Sequence, residues 1–210
     1  MQVKRYIDTF VDGQYRQPSG LVGRIIGDRM ARQHEPENTW TILLLSVQPT
    51  DTILEIGFGT GTTIQKLVTL TTKGKVTGVD FSRTMVRVAQ RRNGEALKAR
   101  LVELTYGNAA NLPFRDSSFD KVCSIHSLYF WPDPMKVVTE VFRVLKPGGM
   151  FVLTLLPKER WPGGGVGTAD CRVYTGEDIA AMMTHVGFSR TRIELGRIEF
   201  FREIAVVGVK

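Results

Sequence analysis

Two acids, Glu55 and Asp80, stand at the ends of apolar runs, and Gly57, Gly59 and Gly61 follow the first of them at alternate positions. A strand that enters a helix through glycine lets backbone approach a ligand closely and aims the helix N-terminus at it. Two kinds of cofactor use such a corner. A dinucleotide requires G-x-G-x-x-G, with its pyrophosphate on the helix dipole. Here the third glycine comes one residue early and Thr62 stands where the small third residue belongs. The spacing from Glu55 to Gly61 is acid-x-G-x-G-x-G. An acid just before the turn repels a pyrophosphate and suits a ligand that carries an ammonium group.

Further reactive candidates are few. His126 ends the fourth strand-like run, at the sheet edge where open parallel sheets place their ligands. It is read as a reactive side chain, with a packing residue or a cofactor-contacting wall as alternatives. Tyr129 and Trp131, in "SLYFWPDP", line the substrate pocket or belong to the core. His34, behind an amphipathic helix, is assigned a surface role, with a pocket-facing position as the alternative. His185 lies near a helix C-terminus, where an imidazolium suits the dipole, and is read as structural. Cys123 and Cys171 are too few and too far apart for a disulfide framework or a zinc cluster, and no metal site is read.

The elements that must position these groups alternate. Strand-like runs are Thr52–Ile56, Lys75–Asp80, Arg100–Tyr106, Phe119–His126 and Met150–Leu156. Helix-like runs lie between them at Thr60–Leu70, Ser82–Asn93 and Pro134–Leu145, and "KPGG" at Lys146 reads as a helix stop and turn. Strands too apolar for one-sided exposure, alternating with helices, indicate a parallel sheet covered on both faces. The end differs: Thr175 and Asp178 open a helix, and Ile193–Leu195 with Phe200–Val207 form an antiparallel hairpin. Before the first strand, residues 1–19 read as an arm. Leu21–Gln33 is a basic amphipathic helix with Leu21, Val22, Ile25, Ile26 and Met30 on its apolar face. Pro36 opens a second helix carrying Trp40, Leu43, Leu44 and Val47 on one face. The glycine-rich stretch Lys158–Val173 reads as a long, flexible substrate-side loop, with plain disorder as the alternative.

At 210 residues the chain is one domain's worth. No apolar run reaches membrane-spanning length and the N-terminus lacks an apolar signal core, so a cytoplasmic address is expected. The net charge of +7 includes clusters at Arg24, Arg29, Arg32 and at Arg83, Arg87, Arg91, Arg92. A solvated helix face explains them; a nucleic acid or an anionic lipid surface is the alternative.

On "ILEIGFGTG", "VTGVDFSRTM", "YGNAANLPFRDSSFDKVCSIHSLYFWPDP", "VFRVLKPGGMFVLT" and "YTGEDIAAMMTHVGF" the chain resembles the class I S-adenosylmethionine-dependent methyltransferases, of type 11 and similar to quinone-pathway and phospholipid methyltransferases. The likeness runs from about Pro36 to the C-terminus. It implies a Rossmann-like, doubly wound, seven-stranded, mostly parallel sheet with an antiparallel C-terminal hairpin. It also implies an arm and lid helix over 1–35 before the cofactor-binding domain at 36–210. The cofactor implied is S-adenosylmethionine, with S-adenosylhomocysteine as product. Backbone at Gly57, Phe58, Gly59 and Gly61 would pack against its methionine part and ribose, and Glu55 would hold its ammonium group. Asp80 would accept both ribose hydroxyls, and Phe81 and Met85 would cover the adenine. Asn108 replaces the acid common in the family as acceptor for the adenine amino group, and Ala109 would bond the ring through its backbone. His126 would touch the cofactor, and His126 and Tyr129 are the catalytic candidates. The activity implied is methyl transfer to N, O or C of a small, largely apolar molecule. A phospholipid or quinone methyltransferase at a membrane surface, touching it through residues 20–33, is an alternative. So is a non-catalytic cofactor-binding protein; nucleic acid ranks lower, for want of a binding module.

Overall fold

The computed structural model describes residues 19–161, 171–196 and 202–210. The first half runs α1 (Gly20–Gln33), α2 (Glu35–Leu45), β1 (Thr52–Ile56), α3 (Thr62–Leu70), β2 (Lys75–Asp80), α4 (Arg83–Arg92), α5 (Gly94–Lys98) and β3 (Val102–Tyr106). The second half runs β4 (Phe119–Ile125), α6 (Pro134–Val144), β5 (Leu145–Leu155), α7 (Gly176–Val186), β6 (Arg190–Leu195) and β7 (Ile204–Val209), with short 3-10 turns at Leu128–Phe130 and Lys158–Arg160. The seven strands form one sheet in the order β3-β2-β1-β4-β5-β7-β6. β1 pairs in parallel with β2 and β4, β2 with β3, and β4 with β5. β7 is antiparallel to both β5 and β6, which gives the antiparallel C-terminal pair.

Alternation along β1 builds both sides of the core. Leu54 and Ile56 join Val137, Val141 and Ile179 from α6 and α7, whereas Ile53 faces Leu45, Ile64 and Ala89 from α2, α3 and α4. With both faces covered, the strands are apolar throughout, as the sequence pattern requires. Local chemistry fixes the ends of several helices. Ser82 caps α4 by accepting the Met85 N–H, and Thr175 and Asp178 form a reciprocal capping box on α7.

Several boundaries depart from the sequence pattern. Arg100 adopts a left-handed conformation (φ 59), so β3 starts at Val102 rather than Arg100. "KPGG" does not separate α6 from the sheet: β5 already starts at Leu145, paired with Phe119, and the register shifts before Lys121 meets Met150. That segment is an irregularity within the strand. β6 begins earlier and β7 later than expected; Phe200 falls outside the described residues, as do residues 1–18 and most of the glycine-rich loop. The exposed and buried faces of α1 are also corrected. Val22 and Ile25 are 45% and 62% exposed, while Gly23 and Gly27 are buried. α1 therefore packs through glycines, which allow a closer approach than branched side chains would. None of the described helices is long and apolar enough to cross a membrane.

Candidate functional site

A cavity of about 250 Å³ lies over the carboxyl ends of β1, β2 and β4, roofed by Gly27, Met30 and Ala31 of α1. This edge is where strand ends and helix beginnings leave backbone groups unpaired. Glu55, Gly57, Phe58, Gly59, Asp80, Phe81, Met85, Asn108, Ala109 and His126, all singled out in the sequence, line it.

The glycine turn divides its labour. Gly59 has φ +51, and a Cβ there would meet no atom of the described residues within 4 Å, so this position opens onto the cavity. Gly61 does not line it. A Cβ at Gly61 would stand 2.7 Å from that of Ala89 and 2.8 Å from Asn93 Nδ2, so this glycine serves the close approach of α3 and α4. Phe58 contributes only backbone, because its ring is buried against Gly78 in the core.

Asp80 ties the two acid-bearing strand ends together. Its Oδ2 accepts the Gly59 N–H at 2.8 Å and its Oδ1 accepts the Ser82 N–H at 2.7 Å. An ionised carboxylate has about four lone-pair sites, so acceptor capacity remains for a ligand. Burial pushes its pKa up to about 6, against the pull of those two backbone bonds. Glu55 is more deeply set: burial pushes it up to about 8, opposed by the Thr63 hydroxyl and assisted by the charge of Asp80. Its Oε2 has no hydrogen-bond partner among the described residues. A ligand cation is the group that would satisfy it.

At the far end the Phe81 ring, 52% exposed, stacks on Tyr106 at 6.0 Å, and the Arg83 guanidinium lies 4.1 Å over the Tyr106 centroid. Met85 is buried beneath Gly27. The Asn108 side-chain oxygen already accepts the Ala110 N–H at 2.9 Å, which commits one of its two lone pairs to the local turn.

The wall at the end of β4 differs most from expectation. His126 has a left-handed backbone (φ 52), and its Nδ1 stands 3.1 Å from Tyr129 Oη. Tyr129 does not line the cavity. It sits behind His126 and accepts the Leu156 N–H at 2.6 Å, and burial raises its pKa above the ordinary phenol value. It positions His126 and stays protonated. Burial and the neighbouring His34 push the His126 pKa down to about 3. His34 takes the pocket-facing alternative: half-buried, it lines the cavity with its ring 4.1 Å from that of His126. Glu37 and Asn38 were missed as well; both are buried at the start of α2, and Asn38 lines the cavity. The only sequence signal for them was the polar "HEPEN" at a helix opening.

The family model described as a methyltransferase domain matches residues 54–153, which carry the glycine turn, Asp80 and β4. The uncharacterized methyltransferase YdaC of Bacillus subtilis (strain 168) is 35% identical over 135 residues, covering 64% of this chain and 72% of that one. This chain belongs to the class I S-adenosylmethionine-dependent methyltransferases. A demethylmenaquinone methyltransferase of Bacillus cereus (strain B4264) is 38% identical over 122 residues, 58% of this methyltransferase, which spans only 51% of that relative. A SAM-dependent methyltransferase from Aquifex aeolicus shares the fold, with a TM-score of 0.71 and 19% identity over 87% of this chain and 97% of its own. The methyl donor is S-adenosylmethionine. The cradle fits it, since the unpartnered Glu55 oxygen and the open Gly59 face lie on one cavity.

Proposed function

We propose that this methyltransferase moves the methyl group of S-adenosylmethionine to a nitrogen, oxygen or carbon of a small, largely apolar molecule. We further propose that the donor lies between Glu55 and Asp80. The observation that carries this reading is one cavity with an unpartnered buried carboxylate oxygen on Glu55, and with Asp80 spanning the glycine turn to the start of α4. Bound there, the sulfonium supplies a methyl carbon that is electrophilic without further activation. The chain's own part is then alignment and exclusion of water. Glu55 holds the ammonium end, Asp80 the ribose hydroxyls, the backbone of Gly57 and Gly59 the middle, and Phe81 with Met85 covers the adenine. Asn108 and Ala109 edge the ring. α1 acts as the lid, and its roof residues with Trp131 and Phe130 shape an apolar acceptor space.

Calorimetric titration with S-adenosylhomocysteine tests the donor site. Charge-assisted bonds are worth about 1.5–3 kcal/mol each. Asp80→Ala is therefore expected to weaken binding at least about 10-fold, and unchanged affinity would refute the assignment. Transfer of labelled methyl to a compound in a cell extract then identifies the acceptor.

A second reading is supported by α1. Val22, Ile25, Arg29 and Arg32 are exposed along one stripe of this helix, a mixed apolar and basic face suited to an anionic lipid surface. Such contact would favour a lipid or quinone acceptor. Ile25→Glu is expected to reduce co-sedimentation with anionic vesicles; equal pelleting of both forms would remove this reading.

A further inference from the structure

Beside the donor cradle, His34, Glu37 and His126 each present one ligand atom, and these atoms all lie within 4.8 Å of one another. His34 joins α1 to α2 and Glu37 stands one turn on, so H-x-x-E forms a local pair. His126 comes from the end of β4, distant in sequence.

Among the described residues, each of the three leaves a buried polar atom without a hydrogen-bond partner: His34 Nδ1, Glu37 Oε2 and His126 Nε2. The 3.7 Å from His34 Nδ1 to Glu37 Oε1 is too long for a hydrogen bond. A carboxylate buried like that of Glu37, 7% exposed, calls for donors or a cation. Among the described residues, no lysine or arginine pairs with it, and the nearby Glu203 adds further negative potential.

The second layer also has the form found around metal ligands. A ligating histidine ordinarily has its other ring nitrogen held by a fixed partner. His126 Nδ1 meets Tyr129 Oη, which is pinned in turn by the Leu156 amide. With the imidazole hydrogen on Nδ1, the Nε2 lone pair is the atom left for a ligand.

We propose that His34, Glu37 and His126 form a binding site for a divalent ion of the Zn²⁺ kind, with an open coordination position on the donor cavity. Two imidazoles and one carboxylate are a donor set that borderline transition ions take up, with water or substrate in the remaining position. Because His34 and His126 line the cavity, an oxygen of the methyl acceptor is the ligand class that completes the shell. That last step rests on the methyltransferase reading; the ion site does not.

The test is titration of the chelator-stripped full chain with Zn²⁺ by calorimetry, and with Co²⁺ by visible absorption, both without methyl donor. One ion per chain is expected, with micromolar or tighter affinity. Glu37→Gln and His126→Asn are each expected to weaken it at least 100-fold, and Tyr129→Phe, a positioning change, about 10- to 100-fold. Far-UV dichroism and a cooperative urea transition establish that each variant folds, and His34→Gln replaces any that does not. No stoichiometric binding by the wild type, or equal affinity in the ligand variants, would overturn the site. Loss of S-adenosylhomocysteine binding by the wild type would instead sink the donor assignment and leave the ion result standing.

Discussion

Glu55 is the residue at which chemistry and stability meet. It is an acid in an otherwise apolar strand, and burial holds its pKa at about 8 instead of the usual 4.5. The folded chain keeps this proton up to about pH 8, whereas the unfolded chain loses it near 4.5. Folding is therefore favoured below that window, and the advantage is lost as pH rises through 8. Asp80, at about 6, acts in the same direction over a lower range. Above pH 6.5 the loss falls mainly to Glu55. Urea titrations without donor should show wild-type stability falling by about 1–2 kcal/mol between pH 6.5 and 8. Glu55→Gln should remove most of that slope, and an unchanged slope would contradict the burial of a protonated carboxyl. Both acids were legible in the sequence because each interrupts an apolar run where a turn begins. His34 was not, because its place depends on how the α1–α2 junction lies across the end of β4. No local pattern encodes a contact between segments so far apart.

Elements are held at the site by close approach. At Gly27 a Cβ would come within 3.0 Å of Met85 Sδ and 3.2 Å of Thr60 Cγ2. The thioether can move, so Gly27→Ala is expected to be tolerated, whereas Gly27→Val forces α1 off the glycine turn. Overpacking of this kind costs about 1–3 kcal/mol. Donor affinity should fall with it, because α1 roofs the cavity. Equal stability and affinity for both variants would show that α1 is not seated there. Periodicity alone placed Val22 and Ile25 on the packed face of this helix. Packing chose the glycine face instead, since a small-residue contact brings helix axes nearer than a branched one. The strands were read more accurately: β1 and β2 have the expected ends, because an acid and a turn close each of them. "KPGG" misled because its turn chemistry is real, with Gly148 at φ +76, yet the flanking Leu145 already pairs with Phe119.

For the molecule as a whole, the last strand completes the sheet rather than decorating it. β7 lies between β5 and β6, and Ala205, Val206 and Val207 are fully buried. Lys210 reaches back to the carbonyls of Phe142 and Leu145 and lies over the Phe142 ring. Deleting residues 204–210 should therefore abolish the cooperative unfolding transition, read by tryptophan fluorescence in urea; a retained transition would show that the sheet closes without them. The wound sheet followed from the alternation of strand and helix patterns, and its reversed final pair from the short connection between the last two strand-like runs. The arrangement of the acceptor side did not, because it is assembled from pieces that share no period. The bond from the Gly59 amide to Asp80 has a consequence for binding: the loop is held in one shape before any ligand arrives. Little conformational freedom is left for this segment to lose on association, so variants that cut that bond should bind with a more unfavourable entropy. Their association should also slow, as a search for loop geometry is added to diffusion.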